Sequence, residues 1–103
     1  MKLFKSVDEK LAEIGFVKTV ECEDFVCYER YCEKFNYIHS VDILHEESGQ
    51  HIIQSYDMTS RYAVGLTGYE TKLFLKKMKK MGWYSGKDVT ILDTGRSDET
   101  KPV

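Results

Sequence analysis

The sequence predicts an α+β domain, a four-stranded antiparallel meander with a short N-terminal helix and a longer C-terminal helix packed on one face. Three observations carry that expectation. Between Phe35 and Tyr56, two runs rich in β-branched and aromatic residues flank the polar segment Glu46-Glu47-Ser48-Gly49-Gln50, which is a hairpin signal. Ser6-Val7-Asp8-Glu9 and Thr67-Gly68-Tyr69-Glu70 each have the form of a capping box that opens a helix. Two more strand-like runs lie between the first box and the hairpin, joined by links of turn length, so neighbours in sequence should pair as neighbours in space.

Taken in order, Val7, Leu11 and Ile14 form one stripe after the first capping box, and Gly15 suits the position just past a helix end. A helix of roughly two turns does not persist alone, so it must dock on the sheet. Phe16–Cys22 reads as the first strand and Phe25–Cys32 as the second. With Glu23-Asp24 as the link, Phe16 should oppose Tyr31, Lys18 oppose Glu29 and Val20 oppose Cys27. In the central hairpin, a three-residue loop Glu47-Ser48-Gly49 with a left-handed Gly49 sets the register. His45 then faces His51, Ile43 faces Ile53, Val41 faces Ser55 and His39 faces Asp57. On the other face Leu44 opposes Ile52, Asp42 opposes Gln54 and Ser40 opposes Tyr56. Asp57–Gly65 has no clear period and should be a loop crossing a sheet edge. The second helix should run from Thr67 to about Met81, with Gly82 as its stop. Phe74, Met78 and Met81 centre its apolar stripe, with Leu73 and Leu75 beside them. Val89–Leu92 can form a short edge strand, and the polar remainder is expected to be a tail. The expected division is therefore one domain over 1–86 and a weakly structured tail over 87–103.

At 42% hydrophobic and 31% charged residues the composition is that of a globular protein and not of a disordered chain. A net charge of -2 gives no global attraction to nucleic acid. No apolar run approaches the ~20 residues of a membrane span, and the first residues lack a secretory h-region. The three cysteines, Cys22, Cys27 and Cys32, lie among strand residues. They read as reduced packing thiols in a cytoplasmic protein.

Few residue patterns point to chemistry. His45 and His51, opposed at the hairpin end, could share a metal with Glu46 or Glu47. The preferred reading is a polar pair at an exposed hairpin end, since zinc asks for three or four ligands. His39 and Asp57 form a weaker pair with no nucleophile beside them. Cys27 could approach His39, but a strand is a poor place to depress a thiol pKa. Phosphate loops, H-E-x-x-H, C-x-x-C and nucleophile-elbow motifs are missing. The expectation is therefore no enzyme and no cofactor. Lys72, Lys76, Lys79 and Lys80 (with Lys77) make a basic ridge, a candidate nucleic-acid surface with Tyr62, Trp83 or Tyr84 as stacking groups. A solvated helix face has the same sequence signature.

The doubly apolar hairpin is more informative. Two helices can cover one sheet face, which leaves Ile38, Leu44, Ile52 and Tyr56 without obvious cover, with Val17, Val26 or Tyr28 beside them. Such a patch marks an interface. The leading expectation is a small non-enzymatic interaction module or homodimer acting through its sheet, with a nucleic-acid accessory role as the alternative. The competing arrangement folds the 89–92 strand, or Trp83 and Tyr84, over that face.

Gly49-Gln50-His51-Ile52-Ile53-Gln54-Ser55-Tyr56, then Ala63-Val64-Gly65-Leu66-Thr67 and the Lys-rich helix ending Met81-Gly82-Trp83, resemble a group of small uncharacterised proteins of Gram-positive bacteria and their mobile elements. The resemblance covers about residues 1–84. It implies a cytoplasmic bacterial or phage-derived protein and carries no functional residues over.

Overall fold

Both capping boxes close. Ser6 Oγ accepts from the Glu9 amide and Glu9 returns a carboxylate to the Ser6 amide, opening α1 (Val7–Glu13). Thr67 and Glu70 do the same for α2 (Gly68–Lys80). Gly15 (φ +97°) and Gly82 (φ +80°) follow the two helices in the left-handed region that glycine enters without penalty. The strands are β1 (Val17–Glu21), β2 (Phe25–Cys32), β3 (Tyr37–His45), β4 (His51–Asp57) and β5 (Val89–Leu92). The computed structural model describes residues 5–46 and 50–83, and the backbone of 89–92. The expected loop Glu47-Ser48-Gly49, Tyr84 and the tail beyond 92 lie outside the described residues. No helix among the described residues is long and apolar enough to cross a membrane.

The sheet runs β1-β2-β3-β4-β5, antiparallel through β4. The hairpin register is the one its alternation demands, from His45 opposite His51 to His39 opposite Asp57. β5 pairs in parallel with β4, Ile53 opposite Ile91. A parallel pair needs a long crossover, and residues 58–88, with α2 among them, form it. The first hairpin departs from expectation. Val20 opposes Cys27, but Lys18 opposes Tyr28 and not Glu29, because an extra residue bulges between Lys18 and Val20. The bulge turns Lys18 to the helix side, where its ammonium meets Asp8 (3.0 Å) and Glu21 (2.8 Å).

The two faces are now distinct. Toward the helices point Val26, Tyr28, Val41, Ile43 and Ile53, all fully buried, against Leu11, Phe16, Phe74 and Met78. Phe16 and Tyr28 meet Phe74 edge-on, with centroids 5.2 and 5.5 Å apart, an aromatic arrangement favoured by the ring quadrupoles. Lys77 is buried within α2 and reaches Glu21 (3.0 Å) and Asp8 (3.3 Å). It is therefore a fastening between the helices and β1, not part of a solvated ridge.

Candidate interaction surface

Among the described residues no helix lies over the other face of the sheet. Strand register arranges its side chains in rows across β2, β3 and β4. At one end lies Phe25–Leu44–Ile52, all half-buried; at the other lie Tyr31 and Ile38, 58% and 37% exposed. The two middle rows are Cys27–Asp42–Gln54 and Glu29–Ser40–Tyr56, extended onto β1 by Val20 and Val17. Val17 is 60% exposed and Val20 40%. Ile38, Leu44, Ile52 and Tyr56 thus share one face, as the alternation required. Val26 and Tyr28 do not join them; they lie fully buried on the helix side, where the parity of β2 puts them. Of the expected covers, those within the described residues do not lie over the face that carries Leu44, and Tyr84 falls outside them. β5 extends the sheet in its own plane, and Trp83 packs on the helix side against His45.

A shallow cavity of about 280 Å³ opens beside this face, lined by Asp42, Gln54, Tyr56, Arg61 and Ala63. Ala63 bridges Tyr56 at the stretch of β4 that β5 does not reach. Burial pushes the Tyr56 hydroxyl up, so it remains a donor, and it bonds Asp42 Oδ2 at 2.8 Å. Asp42 Oδ1 is shut from solvent and meets no donor. Arg61, held at φ +70°, lays its guanidinium over the Tyr56 ring at 4.9 Å. Among the described residues Arg61 has no carboxylate partner and Asp42 no cationic one. Two ionic groups of opposite sign therefore border one hollow, each without an ionic partner among the described residues. The free cation of this hollow lay beyond sequence reasoning, because Arg61 enters it from a loop without period.

His39 does not meet Asp57, although their backbones are paired. Asp57 instead accepts from the Thr59 and Ser60 amides. His39, 1% exposed, bonds Ser55 Oγ through Nε2 (2.5 Å) and Arg30 through Nδ1 (3.2 Å). Arg30 in turn binds Glu70 at 2.8 Å. The chain Glu70–Arg30–His39–Ser55 has the outline of a nucleophile relay, yet its polarity is wrong for one. A guanidinium only donates, so Nδ1 must accept, and the ring proton sits on Nε2 facing the serine. That imidazole cannot take the Ser55 proton. Burial, then the Arg30 charge, drives its pKa down to about 4. Cys27 points to the opposite face from His39 and lies 3.6 Å from Ser40 Oγ. Burial pushes its thiol up, away from thiolate reactivity. Of the three free cysteines only Cys27 is buried; Cys32 is half-buried and Cys22 exposed, so the packing role expected of most of them is met by one.

His45 and His51 do come together, with ring centroids 4.9 Å apart. They lie under Trp83, 5.3 Å from His45, and not at an exposed hairpin end; His51 is 3% exposed. His45 Nδ1 and both nitrogens of His51 have no hydrogen-bond partner among the described residues. No group of three or more His, Cys, Asp or Glu residues with metal-binding geometry occurs among the described residues. Of the ridge lysines, Lys76, Lys79 and Lys80 border one cavity and Lys72 another. Trp83 is 7% exposed and unavailable for stacking on a base, whereas Tyr62 is 78% exposed. Comparison with protein-family models, curated proteins and solved structures found no match to this chain.

Proposed function

We propose that this chain is a non-enzymatic interaction module that pairs with a second copy of itself through the open face of its sheet. The observation that carries the reading is the sheet face that no described helix covers, apolar at both ends and polar in the middle. Its occupant follows from charge. An isologous contact sets residue i against j and j against i, so a surface that holds both Asp42 and Arg61, neither in an ion pair among the described residues, is complementary to itself. Two such faces satisfy two ion pairs and cover the Leu44 and Ile38 rows together, with polar groups interleaved between them as a partly wet interface tolerates.

Sedimentation or light scattering at ~100 μM, a concentration that populates any dimer of micromolar Kd, tests it. The wild-type chain should be a dimer. Leu44→Asp should give a folded monomer with unchanged Trp83 fluorescence. Phe35→Asp, which alters an exposed aromatic in the β2–β3 turn, should leave the dimer intact. A monomeric wild type at that concentration rejects the reading.

A further inference from the structure

A second surface stands apart from the sheet face. Lys5 and Lys10 at the start of the chain and Lys76, Lys79 and Lys80 of α2 converge on a concavity of about 340 Å³ over Val7. Lys5 is tied to Glu13. Lys10, Lys76, Lys79 and Lys80 reach no carboxylate among the described residues, in a chain with 17 acidic and 15 basic residues. Lys77 gives the contrast within the same helix, bonded to both Asp8 and Glu21. A helix C-terminus accommodates cations, which accounts for Lys79 and Lys80 on α2 alone. It does not account for Lys10 of another helix bordering the same hollow, where like charges repel. An anion in the hollow removes that repulsion.

We propose that the α1–α2 hollow binds a compact run of phosphates, such as a triphosphate group, through Lys10, Lys76, Lys79 and Lys80. Lysine ammoniums act on phosphate oxygens as movable point charges, and four around one cavity suit a small polyanion of high charge density. A nucleic-acid strand fits less well. It would call for stacking groups along the strand, yet Trp83 is buried, and Lys72 borders a different cavity.

Calorimetry on the full chain at low salt, with inorganic triphosphate, a nucleoside triphosphate and an oligothymidylate as titrants, tests the site. Lys76→Glu/Lys79→Glu should weaken triphosphate binding at least about tenfold, while Lys34→Glu/Lys72→Glu, with the same change in net charge outside the hollow, should change it less than about threefold. Lys76→Gln/Lys79→Gln gives the same ordering without charge reversal should the first pair fail to fold. Equal affinity for the two triphosphates assigns the site to phosphates alone, and a tighter nucleoside form adds a base contact; both support the hollow. Equal losses in the two pairs of variants, or oligothymidylate binding with no triphosphate binding at about 10 mM, would overturn it.

Discussion

His39 places a group that ordinarily titrates near neutrality out of reach of water, between a serine hydroxyl and a guanidinium. Its pKa of about 4 in the folded chain compares with about 6.5 for a free imidazole. The unfolded state therefore binds the extra proton first. Stability from this site is intact above pH 6.5 and is lost as pH falls toward 4, by up to about 3 kcal/mol. His39→Gln retains an amide donor for Ser55 and cannot protonate. Urea unfolding across pH 4–7 should show a flatter limb for the variant, and parallel limbs would disprove the assignment. His51 makes the converse prediction, because its two unpartnered nitrogens cost about 1–3 kcal/mol in burial. His51→Phe should leave stability unchanged or raise it. A clear loss, accompanied by zinc in the purified wild type, would instead mark the ring nitrogens as ligands.

At the scale of elements, α2 depends on one side chain. Glu70 Oε1 closes the cap with the Thr67 amide and Oε2 takes Arg30. Burial opposes its ionisation, but the Thr67 amide and Arg30 prevail and hold the carboxyl below its usual range. Glu70→Gln keeps the cap acceptor and loses the ion pair, which should cost about 1–3 kcal/mol given that Arg30 is partly exposed. Glu70→Ala loses both and should cost about 1 kcal/mol more; equal midpoints for the two variants would separate cap from helix stability. The capping half of this arrangement was legible in Thr67-Gly68-Tyr69-Glu70, because caps are local. The Arg30 half was not, since it joins residues 40 positions apart. The same division runs through the sheet. Strict alternation made the β3–β4 register readable, whereas the β1 bulge moved Lys18 by one place and left no trace in composition. The parallel pairing of β5 rests on a crossover that short-range pattern does not encode.

For the whole molecule, the open face followed from counting apolar positions against the cover two helices can supply. Its charges did not, because Asp42 looks like an alternating polar residue and Arg61 belongs to an aperiodic loop. Those charges nonetheless make the sharpest test of pairing between copies. In the proposed dimer, Asp42→Arg alone sets cation against cation across a two-fold axis, and Arg61→Asp alone sets anion against anion, so each variant should be monomeric at a concentration where the wild type sediments as a dimer. Mixed, the first chain offers only cations at the two positions and the second only anions, and both contacts become attractive. Sedimentation of the equimolar mixture should then recover a heterodimer. Recovery is a property of the pair of faces, so loss of fold in either chain cannot imitate it. A mixture that stays monomeric, with both chains folded by circular dichroism, would show that Asp42 and Arg61 do not meet across the interface, even if Leu44→Asp still dissociates the wild-type dimer.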